Sequence, residues 1–345
     1  MSIQHILVTG GAGFIGSNFV RFLLRNRPGV RVTNLDKLTY SGNLESLRDI
    51  DKDPAYAFVH GDICDAALVS RLIGSCDAIV HMAAESHVDR SIMDAGPFIQ
   101  ANVVGTQVLL DAARRTWGSG KGRFVYVSTD EVYGSLPLEN PEIKFTETTP
   151  LSPNSPYAAS KAAGDCLVRA YHHTFGMNVC TTRCSNNFGP FQFPEKVIPL
   201  FVTNLIEGKQ VPLYGDGRNV RDWLHVEDHC EAILTVLERG RAGEVYNIGG
   251  NNERSNLELT HSILKAMAKG PEMIRPVSDR PGHDLRYAID SSKIRRELGW
   301  QPTRSQWPGA LEKTVGWYVQ NEQWWRRVKS GEYREYYGRQ YGSEN

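Results

Sequence analysis

A chain of 345 residues with 41% hydrophobic and 23% charged side chains has an ordinary globular composition, with length enough for about two domains or one large α/β domain. Its 39 basic residues balance 39 acidic ones, so no global field draws it to nucleic acid or to an anionic membrane, and any anionic ligand must be held by a local site. No apolar run nears the ~20 residues of a bilayer span, the first residues carry no export signal, and the scattered cysteines lack a C-x-x-C pair, so a cytoplasmic protein with reduced thiols is expected.

The first element is the apolar run Ile6–Val8, followed by a glycine-rich turn and a helical period in HILVTGGAGFIGSNFVRFLLRN. Phe14, Ile15, Phe19, Phe22 and Leu23 recur at spacings that suit one buried helix face. Gly10, Gly13 and Gly16 permit a tight turn and let backbone approach a pyrophosphate, on which the helix N-terminus directs free N–H groups. A plain loop also uses glycine, so the context decides. The next strand, VRVTNLD, ends at Asp36, twenty positions after Gly16, where a carboxylate accepts hydrogen bonds from an adenosine ribose and repels a 2′-phosphate. That favours NAD over NADP, with the adjacent Lys37 tempering the preference.

Later strands lead to Asp62 and Ile63, to Ala83 and Ala84, and to Thr129, with helices expected over AALVSRLIG and NVVGTQVLLDAARR between them. This alternation predicts an α/β fold, a doubly wound and mostly parallel Rossmann-type sheet with ligands at the carboxyl ends of its strands. Then comes a helix, NSPYAASKAAGDCLVRAY, with Ser155 placed to cap it and Pro156 in its first turn. Tyr157 and Lys161 share a face four residues apart, and an ammonium beside a phenol favours the phenolate, giving a base below tyrosine's usual pKa of about 10. Y-x-x-x-K by itself is common on surface helices.

The glycine turn, a strand ending in Ser128-Thr129 and the Tyr–Lys helix occur in that order, and there the chain resembles the extended short-chain dehydrogenase/reductase family. The resemblance covers nearly the whole chain, including NNFGPFQFPEKVIP, GDGRNVRDWLHVEDHCEAI and DRPGHDLRYAIDSSKIRRELGWQP. It implies NAD on the N-terminal sheet, held by Gly10, Gly13, Phe14, Ile15, Gly16, Asp36, Asp62, Ile63, Ala83 and Ala84. It also implies that Thr129 hydrogen-bonds the reacting oxygen, Tyr157 takes its proton, and Lys161 tunes the tyrosine and holds the nicotinamide ribose. A simple oxidation needs only these three, yet VSTDEVYG adds Asp130 and Glu131.

That motif resembles the nucleotide-sugar 4,6-dehydratases of the family. Related epimerases carry a small or apolar pair there, and related decarboxylases keep the Glu without the Asp. The chemistry argues the same way. Oxidising C4 of a sugar makes the C5 proton acidic, so water can then leave across C5 and C6 if a base takes that proton and an acid protonates the C6 hydroxyl. Glu131 and Asp130 suit those roles, and the hydride returns from NADH to C6. The implied substrate is dTDP-glucose, with UDP-glucose as the alternative, because one methyl is worth only about 1–3 kcal/mol of selectivity. An acidic strand cap is the bland reading of the pair. A noncatalytic dinucleotide sensor would carry a damaged catalytic set, which this chain does not.

From about Ser185 the alternation breaks up, and a discontinuous substrate lobe is expected at 186–221 and 251–345, with a Rossmann domain at 1–185 and a return segment near 222–250. The resemblance places Asn187, Lys196, Arg221 and Asn256 on the sugar nucleotide and Glu85 near the sugar. Arg280 and His283 in DRPGHD are further candidates, cations being needed at the pyrophosphate. His225 and His229 stand four apart, but no third ligand is indicated and the chemistry needs no metal. The aromatic, basic tail NEQWWRRVKSGEYREYYGRQY reads as helix packing and a loose end. By resemblance, the helices of NVVGTQVLLDAARR and Tyr157 meet their twins in a homodimer.

Overall fold

The computed structural model describes residues 3–329. The expected lobe boundary at 345 and the tail beyond residue 329 lie outside them. In chain order the elements are β1 (His5–Thr9), α1 (Phe14–Asn26), β2 (Arg31–Asp36), β3 (Tyr56–His60), α2 (Ala66–Ile73), β4 (Ala78–His81), α3 (Val88–Met93), α4 (Gly96–Phe98), α5 (Thr106–Trp117) and β5 (Arg123–Thr129). They continue with α6 (Pro156–Phe175), β6 (Val179–Cys184), β7 (Asn186–Phe188), α7 (Val197–Ile206), β8 (Val211–Tyr214), β9 (Val220–His225), α8 (Val226–Arg239) and β10 (Val245–Ile248). β11 (Glu253–Ser255), α9 (Asn256–Ala266), β12 (Ile274–Val277), α10 (Ser292–Leu298), α11 (Gly309–Gln320) and α12 (Glu322–Val328) complete the described chain.

Seven strands form one sheet in the order β10-β6-β5-β4-β1-β2-β3, every neighbouring pair parallel. Helices cover both faces, so its central strands are apolar without alternation; all seven residues of β5 are buried. The strand order reverses between β1 and β4, and such a switch point opens a crevice at the carboxyl ends of the strands. A second sheet, β11-β9-β7, and the β12-β8 pair sit with α7, α9, α11 and α12 around a separate apolar core that includes Phe188, Trp223, Tyr318 and Trp325. α8 and β10 return to the main layer, where Ile233, Val236 and Tyr246 join Phe19 and Val20 of α1.

Two local features prepare the site. The Ser155 hydroxyl accepts from Ala158 N, starting α6 where a cap is needed, and Gly176 ends the helix at φ 67°. A π-helical turn, Ile99–Gly105, precedes α5 and turns Asn102 inward, a distortion often found beside functional sites.

Candidate active site

A cavity of ≈ 380 Å³ runs along the carboxyl edge of the sheet from the glycine turn to α6. Its glycine end is walled by backbone. Gly10 sits at φ 74°, and a Cβ there would lie 2.6 Å from Ala83 N; one on Gly16 would lie 2.1 Å from the Gly10 carbonyl. Glycine at both positions lets strand, turn and helix pack backbone to backbone, the close approach that a pyrophosphate-binding turn requires. Gly13, Ala84, Asp62 and Ile63 also line the cavity. Asp62 pairs with Lys37 at 2.7 Å. Phe14 and Ile15 are only half-buried and face this cavity, so the expected core face of α1 narrows to Phe19, Phe22 and Leu23. Asp36 accepts from Ala12 N at 2.9 Å and Leu38 N at 2.8 Å, which fixes the turn against the end of β2; burial holds its carboxyl above the usual range. These residues fit a dinucleotide.

At the far end, β5 delivers Thr129 and a 3₁₀ turn, Asp130–Tyr133, delivers the two carboxylates. The Thr129 hydroxyl accepts from Glu131 N at 3.3 Å and donates to Asp130 Oδ1 at 3.3 Å, so one side chain orients both acids. Asp130 is 2% exposed, and its Oδ2 has no hydrogen-bond partner among the described residues. Burial, with Glu131 and then Asp222 adding like charge, pushes its carboxyl well above the usual range. Glu131 is also raised by burial, but Arg280, Arg221 and Lys196 oppose the rise. Of the two adjacent carboxyls, Asp130 is the one held more strongly in its acid form, while the three cations ease the ionisation of Glu131.

Tyr157 and Lys161 point from α6 into the same space. The Lys161 ammonium donates to Val127 O at 2.8 Å and lies 4.2 Å from the Tyr126 ring centroid. Burial brings Lys161 down to about 8. The phenol of Tyr157 departs from the sequence expectation: burial and then Glu131 push it well above 10, against a smaller pull from Thr129. The helix spacing reveals the lysine, but the low-polarity walls and the carboxylate across the cleft dominate the phenol in this state. Glu85 lines the cavity too, its backbone clamped by Asn102, whose side chain bonds Glu85 N, Glu85 O and the Ser160 hydroxyl.

A second cavity, ≈ 170 Å³, adjoins the first and shares Glu131 and Lys196 with it. It gathers Arg221, Asn256, Arg280 and His283, while Asn187 lines the first cavity and its Oδ1 accepts from His229 Nδ1 at 2.9 Å. Arg221 donates to Asp284 O at 2.9 Å and lies 4.2 Å from the Tyr287 ring; Arg280 pairs with Asp89 at 3.3 Å; Lys196 donates to Ser86 O at 3.1 Å. Three cations facing one small space suit a diphosphate. His283, brought down to about 4 by burial beside Arg280 and Arg221, is a neutral ring that meets Asp279 at 2.6 Å. The two histidines weighed as a metal pair part company: His225 ends β9 and caps α8, while His229 lies inside α8.

Sequence reasoning missed Cys184, Glu195, Asp89 and Tyr287 in the lining. Glu195 stands beside a predicted cation, and Tyr287 follows DRPGHD closely, so proximity to known candidates was the available signal. Asp89 and Cys184 stand equally near Glu85 and Asn187, so the same signal was available for them. Burial raises the Cys184 thiol to about 12, leaving it protonated.

The switch-point crevice, the Thr–Tyr–Lys set and the cation-lined second cavity define an NAD-dependent enzyme of the extended short-chain dehydrogenase/reductase class. The family model described as GDP-mannose 4,6 dehydratase matches residues 7–308. A dTDP-glucose 4,6-dehydratase of Streptomyces niveus is 56% identical over 331 residues, 95% of this chain and 96% of that protein. Another, from Escherichia coli, is 50% identical over 96% of this chain and 98% of its own. The crystal structure of DesIV, a dTDP-glucose 4,6-dehydratase from Streptomyces venezuelae with NAD and TYD bound, is similar with a TM-score of 0.91 and 54% identity, covering 94% of this chain and 100% of that one. A Thermotoga maritima UDP-glucose 4-epimerase shares the fold, with a TM-score of 0.83 over 92% of this chain and 100% of its own, at 28% identity. The chain belongs to the GDP-mannose 4,6 dehydratase family and, within it, to the dTDP-glucose 4,6-dehydratases.

Proposed function

We propose that Thr129, Asp130, Glu131, Tyr157 and Lys161 together convert dTDP-glucose to dTDP-4-keto-6-deoxyglucose and water. The observation that carries this reading is the pair of a buried Asp130 and a half-buried Glu131 at the seam of the two cavities, in surroundings that separate an acid from a base. NAD, when bound, supplies the oxidant for C4 and returns the electron pair at C6. The glycine turn would hold its pyrophosphate, Asp36 its adenosine ribose and Lys161 its nicotinamide ribose.

Tyr157 takes the C4 hydroxyl proton while Thr129 hydrogen-bonds that oxygen. Lys161, held as an ammonium at neutral pH, stabilises the phenolate that this requires. Glu131 removes the C5 proton made acidic by the C4 ketone and later returns it to C5. Asp130 gives its proton to the departing C6 hydroxyl, which leaves as water, and over one cycle the proton gained by Tyr157 replaces it. Lys196, Arg221 and Arg280 hold the diphosphate, Asn256 and His283 line the nucleoside side, and Glu85 and Asn187 flank the sugar.

Residues 1–185 and the return near 222–250 hold the cofactor and the remaining segments form the nucleotide-sugar lobe, with two exchanges between the cores: Trp223 packs in the second, and Ile294, Leu298 and Trp300 pack in that of the main sheet. A homodimer and a cytoplasmic location complete the reading. For the dimer, Ile92, Met93, Ile99 and Val104 leave an apolar stripe exposed along α3 and the turn before α5, and Phe175 is exposed at the end of α6. Among the described residues no helix is long and apolar enough to cross a membrane.

Incubation with dTDP-glucose and, separately, UDP-glucose, followed by mass spectrometry, tests the function. Loss of one water from the dTDP sugar is expected; no loss from either sugar after NAD is supplied would overturn it.

A further inference from the structure

Behind the catalytic face lies a buried polar chain that touches neither cavity. α6 carries Tyr157, Lys161 and Asp165 at successive four-residue steps, so all three lie on one buried face. Asp165 Oδ2 accepts from Arg183 Nε at 2.7 Å, in a pair whose side chains are 3% and 8% exposed. Arg183 Nη1 donates to the Tyr133 hydroxyl at 2.8 Å, and the guanidinium lies 4.8 Å from the Tyr133 ring centroid. The Tyr133 hydroxyl donates to Asn247 Oδ1 at 2.7 Å, and the ring stacks on Phe145 with centroids 5.0 Å apart. Asn247 is itself fixed, its backbone N–H donating to Glu147 Oε1 at 3.0 Å and its side-chain Nδ2 to Phe145 O at 3.1 Å.

Tyr133 is the last residue of the 3₁₀ turn that begins with Asp130 and Glu131. A buried ion pair is seldom the most stable filling for a core, since well-packed apolar residues of the same volume often do as well or better. Its placement here joins the two halves of the chemistry. We propose that Asp165, Arg183 and Tyr133 are positioning residues, tying the charge of Lys161 on α6 to the turn that aims Asp130 and Glu131. The proposal rests on the catalytic reading above.

The link has two arms. In the first, Asp165 is the buried anion one turn from Lys161. The ammonium is faced by Tyr157 and Asp165 on its own helix, by Tyr126 from β5, by Cys184 from β6 and by His81 from β4. Of these, His81 is held neutral by burial and Cys184 is protonated, so Asp165 is the charge that opposes burial and keeps Lys161 cationic. In the second, the bond from Arg183 and the bond to Asn247 fix the tyrosine hydroxyl from two sides, which sets the pitch of the turn.

The test uses NAD-loaded wild-type protein with Tyr133→Phe, Asp165→Asn and Asp165→Glu. Tyr133→Phe keeps the ring stack and removes only the hydroxyl. Its kcat for water loss is expected to fall roughly 10- to 100-fold, as when a catalytic group is misplaced by about 1 Å, with KM little changed. In a single turnover, reduced nicotinamide should accumulate, because C4 oxidation continues while elimination slows. Asp165→Asn should draw the alkaline limb of the kcat profile to lower pH by about one unit, as Lys161 loses its ammonium sooner, and Asp165→Glu should bring it back. Variants that lose only thermal stability, with turnover, absorbance transient and pH profile matching wild type, would overturn the proposal. If Asp165→Asn fails to fold, Tyr133→Phe decides alone. A wild-type protein that released no water from dTDP-glucose would overturn the catalytic reading itself, and the positioning role with it.

Discussion

Between Gly10 and Asp36 the cleft is walled by one unbroken stretch of chain, mostly with backbone, whereas the cavity around Lys196, Arg221 and Arg280 is closed by side chains from segments far apart in sequence. At Gly10 and Gly16 the backbone wall tolerates no added atom, but it has little electrostatic tuning. The side-chain wall is the reverse, since each cation there is held by a partner (Ser86 O, Asp284 O, Asp89) and can be altered without shifting a strand. Substitutions in the first region should therefore fail through shape and abolish function outright, while those in the second should fail through charge and by degrees.

Gly10→Ala is expected to have the largest effect. The backbone conformation alone would be strained by about 1–3 kcal/mol, and the new Cβ would meet Ala83 backbone at 2.6 Å, so β1 and β4 could not keep their approach. The purified variant should carry no NAD, measured as nucleotide released on denaturation, and should show no turnover. Retained NAD would mean that the turn can reshape.

The two carboxylates stand between the regions and should divide them kinetically. Glu131→Gln should lower the rate of water loss by about 10²–10⁴, with exchange of the C5 proton for solvent deuterium abolished and C4 oxidation preserved. Asp130→Asn should also stop water loss, and should do something unusual to stability. The folded carboxyl is raised well above its unfolded value, so its favourable contribution is complete below the unfolded pKa of about 4 and is lost as pH rises through the folded one. Asparagine imitates the neutral acid at every pH. The melting temperature of Asp130→Asn should thus exceed that of the parent by a margin that widens as the pH rises above the unfolded pKa of about 4. A constant margin would mean that Asp130 does not titrate differently on folding.

In the cation-lined cavity, Lys196→Met should weaken substrate binding by the value of one charge-assisted hydrogen bond, about 1.5–3 kcal/mol, or roughly 10- to 150-fold in KM. NAD content should be unchanged. Loss of NAD as well would erase the contrast between the two regions.

The same contrast explains what the sequence makes legible. Gly10, Gly16 and Asp36 follow one another on one strand–turn–helix–strand unit, whose period and punctuation are local, so the parallel sheet and its cofactor crevice can be read from patterns alone. Tyr157 and Lys161 are local too, being one helical turn apart. Arg221 and Arg280 could be named as cations, but what each would touch depended on how β9 and the segment before α10 come together, which no short-range pattern encodes. Asp89 and Cys184 lie within four residues of Glu85 and Asn187, but whether they reach a cavity depends on the packing, and the rise in the Tyr157 phenol depends on Glu131 and on the depth of burial, neither of which helix spacing contains.

Arg21 offers the mildest probe, because it bridges the regions without entering either cavity. It lies on α1, where its guanidinium donates to Asp49 and sits 4.1 Å from the Phe191 ring centroid, while its neighbour Asn18 donates to Pro190 O at 3.0 Å. Phe191 holds φ 67°, a conformation rare for a bulky residue, and is packed by Trp317 and Trp324 at 4.7 and 5.5 Å. Asp49 is largely exposed, so the ion pair contributes little; the cation over the ring and the lost stem packing should together be worth about 1 kcal/mol. Arg21→Ala should accordingly lower unfolding free energy by about that amount in urea, with kcat and NAD content unchanged. A rise in KM at constant kcat would show instead that the strained loop beside α1 helps set the seam where the sugar is bound, and that the cation–ring contact couples the backbone-walled region to the side-chain-walled one.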